Sequence, residues 1–126
     1  MPDAAAEQEV LNDALVAAVL APEDLDFVEA FAPAIAMHEA IEACAISRAC
    51  APRRRKECML LAAGKAACCH SLDCSGVQLF IKNLRSIYQH SAHPQLHLAV
   101  LNPHVACQLS EDVHIASEAL SYRMES

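Results

Sequence analysis

Cys58 and Cys68 stand ten positions apart with MLLAAGKAA between them, in a stretch that holds six of the chain's seven cysteines. If residues 56–70 are helical, a rise of ~1.5 Å per residue sets the two sulfur positions ~15 Å apart along one rod, far beyond the ~4–7 Å Cα separation that a disulfide spans. Each then needs a partner elsewhere. The preceding segment HEAIEACAISRAC offers Cys44 and Cys50, which run back alongside if APRRRKE is the turn. The spacing suits two rungs of a helical hairpin. The inner rung is Cys50–Cys58, across a seven-residue turn. For the outer rung, Ala40 occupies the mirror position of Cys68, and Cys44 lies about four residues, or ~6 Å of helix rise, out of register. That leaves Cys44–Cys68 and Cys44–Cys69 as alternatives. Cys74 completes the cluster of disulfide candidates, and with an odd number of cysteines at least one thiol is left over. Each bridge is expected to stabilise by about 2–4 kcal/mol, mainly by constraining the unfolded chain.

At 126 residues, with 55% apolar and 20% charged composition, the chain reads as one compact domain over 1–126. Gly64 and Gly76 are its two glycines. No glycine-rich phosphate cradle can be built from them, so dinucleotide and P-loop binding are excluded. Gly64-Lys65 imitates the end of a Walker motif without the glycines or hydroxyl that the motif needs. A formal charge of −7 disfavours a nucleic-acid partner, because phosphate binding requires clustered cations. The exception is the run Arg53, Arg54, Arg55 and Lys56, four of the nine basic residues. It is either a solvated turn or a contact for an acidic partner or anionic lipid headgroups.

The N-terminus lacks the basic start and apolar core of a secretory signal, and the arginines of a matrix presequence. Residues 87–110 contain no Asp, Glu, Lys or Arg. His90, His93, His97, His104, Pro94 and Pro103 interrupt them, so a membrane-crossing helix is not expected there. A soluble protein, or one resting against a membrane complex, is the expectation.

Val10, Leu11, Ala14, Leu15, Ala18 and Val19 mark an amphipathic helix over residues 4–20, ended near Pro22. A second helical start follows at Glu23-Asp24 and is bent or split at Pro33. An alanine-rich helix over 34–49 and a third over 56–69 flank the basic turn. Residues 71–76 form a turn, and Val77, Phe80, Ile81, Leu84, Ile87 and Tyr88 give the next helix one buried face. The segment SEDVHIASEALSYR reads as a last helix with Ser110 as N-cap. No stretch alternates as a strand does. The expected fold is all-α: a disulfide-stapled helical hairpin with flanking helices.

The run CMLLAAGKAAC, followed by LDCSGVQLF, resembles the CHCH accessory subunit of mitochondrial respiratory complex I, of the PGIV type. There a C-x9-C helix leads into an I-D-Y-T-G-Q-Q-L-F-like stretch. Leu72, Asp73, Ser75, Gly76, Gln78, Leu79 and Phe80 match or nearly match it, and APRRRKEC is similar to a P-R-R-C turn of that family. The likeness covers residues 38–90, with 91–126 as a partner-wrapping extension. One complete C-x9-C stands where the family has two twin units. The resemblance implies a non-catalytic structural subunit without cofactor or metal, in contact with other subunits of a large membrane complex. It implies a place in the mitochondrial intermembrane space, at the inner membrane. A subunit or assembly factor of another respiratory complex is the nearest variant.

The same residues also admit other chemistries. Cysteines 44, 50, 58, 68, 69 and 74 with His70 could hold Cu(I) or Zn(II) if reduced, although no C-x2-C pair is present. Cys58, next to the basic run, is the best thiolate for a thiol enzyme, yet no C-x-x-C exchanger motif supports it. His93 and His97 are separated by Pro94. His38, Glu39 and Glu42 lack the paired E-x-x-H motifs of a di-iron bundle.

Overall fold

In the computed structural model, residues 2–51, 58–68, 71–96 and 98–121 are described. Helix α1 (Ala4–Ala18) starts where the Asp3 carboxylate accepts the Ala5 N–H at 2.9 Å, a side-chain N-cap. Pro22 opens a single 3-10 turn, Pro22–Asp24. The expected second helix ends there, and strand β1 (Phe27–Glu29) follows. Helix α2 (Ala36–Cys50) comes next. Its inward positions Ala40, Ala43, Ala45 and Ala49 are small and buried, which lets neighbouring backbones approach closely.

The third expected helix is where the all-α reading fails. Met59–Ala62 is strand β2, bonded in parallel to β1 on one side and to β4 (Val113–His114) on the other. A run of four apolar residues cannot be told from a buried helix turn by periodicity. A parallel strand covered on both faces reads as a continuous apolar run rather than an alternating one. β2 is that case: Met59, Leu61 and Ala62 are buried and Leu60 is half-buried. Only one helical turn, α3 (Lys65–Cys68), remains of the helix expected over 56–69.

A 3-10 turn at Leu72–Cys74 leads into α4 (Ser75–Gln89), which ends on His90 in the left-handed conformation. Strand β3 (Ser91–Ala92) and helix α5 (Pro103–Ala106) follow. The expected last helix is instead β4 and β5 (Leu120–Ser121). Val113 pairs with Met59, and Leu120 pairs with Ala92 in a small antiparallel ladder. The fold is mixed α/β, with sheet order β1-β2-β4. No described helix is long and apolar enough to cross a membrane.

The core lies between the sheet and α2. Ala30, Ile46, Ala49, Cys50, Ala51, Met59 and Leu61 form its buried cluster, with Leu11, Val28 and Ile115 packed against it. No disulfide brace forms among the described residues. Cys44, Cys50, Cys58, Cys74 and Cys107 all carry thiols. Cys50 is buried in the core on α2 and Cys58 is exposed just before β2, and the expected inner rung between them is not formed. Cys44 is buried on α2 and Cys74 is exposed at the start of α4. Cys69, His70, Arg53, Arg54, Arg55 and Lys56 lie outside the described residues, as does the side chain of Cys68.

Candidate functional site

Because β1, β2 and β4 run the same way, the loops that leave them gather at one edge of the sheet. In open α/β sheets that carboxyl edge is where ligands bind. Gln95 ties the edge together: its Oε1 accepts the Ala63 N–H at 2.9 Å, and its own N–H donates to the Ala116 carbonyl at 2.8 Å.

The loop from Ala30 to Ile35 enters α2, and α2 holds it. Both oxygens of Glu42 accept backbone N–H groups, from Phe31 at 2.6 Å and from Ala32 at 2.9 Å. Ala32 and Ala34 have φ of 44° and 61°, in the left-handed region where a Cβ costs about 1–2 kcal/mol. Two hydrogen bonds to a carboxylate, each worth about 1.5–3 kcal/mol, are enough to hold that conformation. Ala32→Gly and Ala34→Gly are therefore expected to stabilise the chain by about 0.5–1 kcal/mol each, the relief of strain less the extra entropy of glycine. A shift of the urea midpoint to higher concentration checks this, and a shift to lower concentration contradicts it.

Two lysines reach this edge in different states. Lys82 of α4 forms an ion pair with Glu29 at the end of β1, at 2.9 and 2.8 Å to the two oxygens, with both side chains largely buried. Glu29 also accepts the Gly64 N–H. A Cβ there would stand 2.6 Å from Leu79 Cδ2 and 2.8 Å from Glu29 Oε1, so both side-chain ends would have to shift to admit one. Lys65, the next residue, places its ammonium 3.1 Å from the centre of the Phe31 ring. Its Nζ is buried and has no hydrogen-bond partner. Burial pushes the Lys65 pKa below its ordinary value, against the opposing pull of the Glu42 carboxylate. In the adjoining groove beneath α1, burial raises the Glu7 pKa. The Glu42 and Asp3 carboxylates add to that rise and His38 opposes it.

A cavity of about 250 Å³ opens beside Glu42, lined by Ala32, Ala43, Ile46, Leu61, Gln95 and Asn102 among others. It is smaller than the roughly 300–1,000 Å³ of sites that enclose a whole ligand, so it suits one end of a larger molecule. Among the described residues, no group of three or more His, Cys, Asp or Glu side chains could hold a metal ion.

Of the cysteine candidates, Cys50 lies in the core and Cys58 precedes β2, at its opposite end, while Cys69 and the side chain of Cys68 lie outside the described residues. The residues brought together are Glu29, Phe31, Glu42, Gly64, Lys65 and Lys82. A signal for them existed in the sequence: Gly64-Lys65 directly follows the apolar run Met59–Ala63, the pattern of a buried strand that ends in a tight approach and a cation.

The family model for the β-ketoacyl synthase C-terminal domain matches residues 1–99. No curated protein sequence matches the chain. Among solved structures, the oxazolomycin ketosynthase domain of Streptomyces albus superposes on all of this chain with a TM-score of 0.87 at 22% identity, using 22% of its own length. Ketosynthase twelve of the bacillaene polyketide synthase from Bacillus amyloliquefaciens gives 0.86 at 17%, over all of this chain and 22% of its own. The module 1 ketosynthase of the bacillaene synthase from the same species gives 0.87 at 20%, over 99% of this chain and 24% of its own. The chain thus spans less than a quarter of the length of these solved chains, and at such identities the likeness establishes the fold.

These findings overturn the complex I resemblance. Residues 38–90, assigned there to a C-x9-C hairpin, fall inside the family match and fold as α2, β2, α3 and α4. The respiratory-complex partners and the intermembrane-space location rested on that resemblance and on disulfides, and go with it, whereas the contact assigned to Arg53, Arg54, Arg55 and Lys56 rested on the basic run, which lies outside the described residues. The non-catalytic reading is corrected too, since the matched family is named for an enzyme. A match running from α1 through β1, β2 and α4 to the segment beyond β3, on a fold shared with solved ketosynthases, decides the matter: the chain belongs to the β-ketoacyl synthase C-terminal domain family.

Proposed function

We propose that this chain is the C-terminal part of a ketosynthase-type unit of a polyketide synthase, serving carbon–carbon bond formation between thioesters. The reaction joins the enolate carbon of one thioester to the carbonyl carbon of an acyl thioester. It yields a β-ketoacyl thioester and releases the thiol of the acyl donor. The observation that carries this reading is the family match across residues 1–99, which includes every loop of the carboxyl edge described for β1 and β2.

At that edge the role assigned to Lys65 is electrostatic. Its ammonium carries no hydrogen bond and is largely desolvated, so a developing enolate or carbonyl oxygen beside it gains more than it would in water. Lys82 is already neutralised by Glu29 and is assigned to holding the loops. The expected result for Lys65→Ala in the whole ketosynthase-type unit is a fall in kcat of about 10- to 150-fold, from a charge-assisted contact of about 1.5–3 kcal/mol, with the melting temperature nearly unchanged. Mass spectrometry of the β-ketoacyl thioester formed from two thioester substrates checks it. An unchanged rate removes Lys65 from the mechanism, and absence of product from the unsubstituted unit removes the condensing function.

One observation favours a second reading, in which the unit binds acyl thioesters without condensing them. Residues 30–35 are Ala, Phe, Ala, Pro, Ala and Ile, so the loop at the end of β1 brings no group that can transfer a proton. Saturable binding of an acyl thioester with no β-ketoacyl product in the same assay selects that reading.

A further inference from the structure

The cavity of about 250 Å³ beside Glu42 combines apolar walls with charge of one sign. Ala43 and Ile46 of α2, Leu61 of β2 and Val105 of α5 are buried walls, none more than 8% exposed. Glu39, Glu42, Gln95 and Asn102 line the same space and are half-buried. Glu39 and Glu42 stand three positions apart on α2 and share a helix face, so the cavity borders two carboxylates. Among the described residues neither forms an ion pair. The Glu42 oxygens hold the Phe31 and Ala32 N–H groups. Lys65, the cation that Glu42 attracts, keeps its ammonium on the Phe31 ring.

Glu39 is less engaged. Among the described residues its carboxylate takes one hydrogen bond, a long one from Asn102 Nδ2 at 3.4 Å, out of the roughly four acceptor sites of an ionised carboxylate. Asn102 itself is fixed: Nδ2 also donates to the Ala36 carbonyl at 3.1 Å, and Oδ1 accepts the His104 N–H at 3.0 Å. The wall that α5 supplies is thereby held against the start of α2. Glu39 lies in the first turn of α2, where the helix dipole favours an acid. The dipole accounts for the charge at that position and not for an apolar cavity next to it.

We propose that this cavity binds a primary alkylammonium group, with its alkyl chain against Ile46, Leu61 and Val105 and its N–H groups donating to Glu39. An engineered cavity of about 150 Å³ takes up benzene, so this one has room for a chain of about six carbons. An alkylammonium ion answers both parts of the lining: methylene groups for the walls, and a charge with donors for the carboxylates. A carboxylate ligand meets like charge there, and a neutral alcohol leaves the charge unanswered. The inference stands on the cavity and not on the condensation reading, and neither outcome decides the other.

Calorimetric titration of n-hexylammonium chloride into the whole protein that carries residues 1–126 tests this. The expected result is saturable binding at one site with a millimolar or tighter dissociation constant, at least about tenfold tighter than hexan-1-ol and with none for hexanoate. Glu39→Gln is expected to weaken the amine at least about tenfold, the loss of one charge-assisted contact. Ala43→Leu adds methylene groups to the cavity wall and is expected to abolish binding with the circular dichroism unchanged. If that variant does not fold, Glu39→Gln decides alone. Absence of saturation, hexan-1-ol binding as tightly as the amine, or undiminished binding in either folded variant overturns the proposal. Two sources carry this chemistry: a free alkylamine, and an acyl chain that ends in an amine. With saturable amine binding in hand, displacement of hexylammonium by the 6-aminohexanoyl thioester of N-acetylcysteamine, and not by the hexanoyl thioester, assigns the acyl chain. Displacement by neither assigns the free amine, and displacement by both equally overturns the role of the charge.

Discussion

Lys82→Met destabilises the fold by about 3–5 kcal/mol, because it strands the Glu29 carboxylate in a site where its side chain is 4% exposed. The loss is larger than a surface pair would give, since an exposed salt bridge contributes only about 0–1 kcal/mol. Glu29 is also the acceptor for the Gly64 N–H, so the damage spreads to the turn that presents Lys65. The double variant Glu29→Gln/Lys82→Met is expected to recover most of the loss, because the amide oxygen still accepts that N–H and no charge is left alone. Urea unfolding of the single and double variants measures both quantities. A single variant within about 1 kcal/mol of the parent would mean that water reaches the pair and the charges are solvated.

The second large effect is expected from Met59→Ala, at about 2–5 kcal/mol. Met59 has no solvent exposure and lies in the central strand, where it packs within the cluster that includes Ile46, Ala49 and Cys50. Its backbone N–H also donates to Asp112 at 2.8 Å, which seats β4 against β2. Truncation removes the transfer energy of the side chain and leaves a cavity that the alanine-rich side of α2 is poorly placed to fill. Met59→Leu conserves volume and is expected to cost less than about 1.5 kcal/mol. The comparison of the two unfolding midpoints separates loss of packing from loss of the methionine itself. Equal losses for Ala and Leu would mean that the site demands the shape of methionine rather than its bulk.

The cysteines misled for a physical reason. Six of seven cluster between residues 44 and 74, and a staple explains such a cluster when the intervening chain is helical. Placing a strand at Met59–Ala62 removes the premise, because Cys58 then precedes the strand and Cys68 ends the short helix that follows it. Cys50 fills core volume as a small apolar side chain, which is the commonest use of a buried cysteine. The Lys65 edge was equally open to misreading. Gly64-Lys65 lacks the rest of a phosphate loop, yet the same pair after an apolar run also fits the end of a buried parallel strand.

Local pattern alone determined the long helices. Asp3 with the apolar stripe of residues 4–20, the alanine run before Cys50, and the Val77–Tyr88 stripe each specify a helix through short-range spacing, and α1, α2 and α4 are the result. Composition likewise ruled out a glycine-rich phosphate cradle. What tertiary structure decided was everything that depends on residues far apart in the chain. The four residues of β2 become a strand because Phe27–Glu29 and Val113–His114 flank them with hydrogen bonds. Tertiary structure also decided which stripe of α4 faces inward, where Lys82 pairs with Glu29, 53 residues away. A helix carries its own hydrogen bonds and can be read locally, whereas a strand and a buried charge are completed only by partners that folding brings to them.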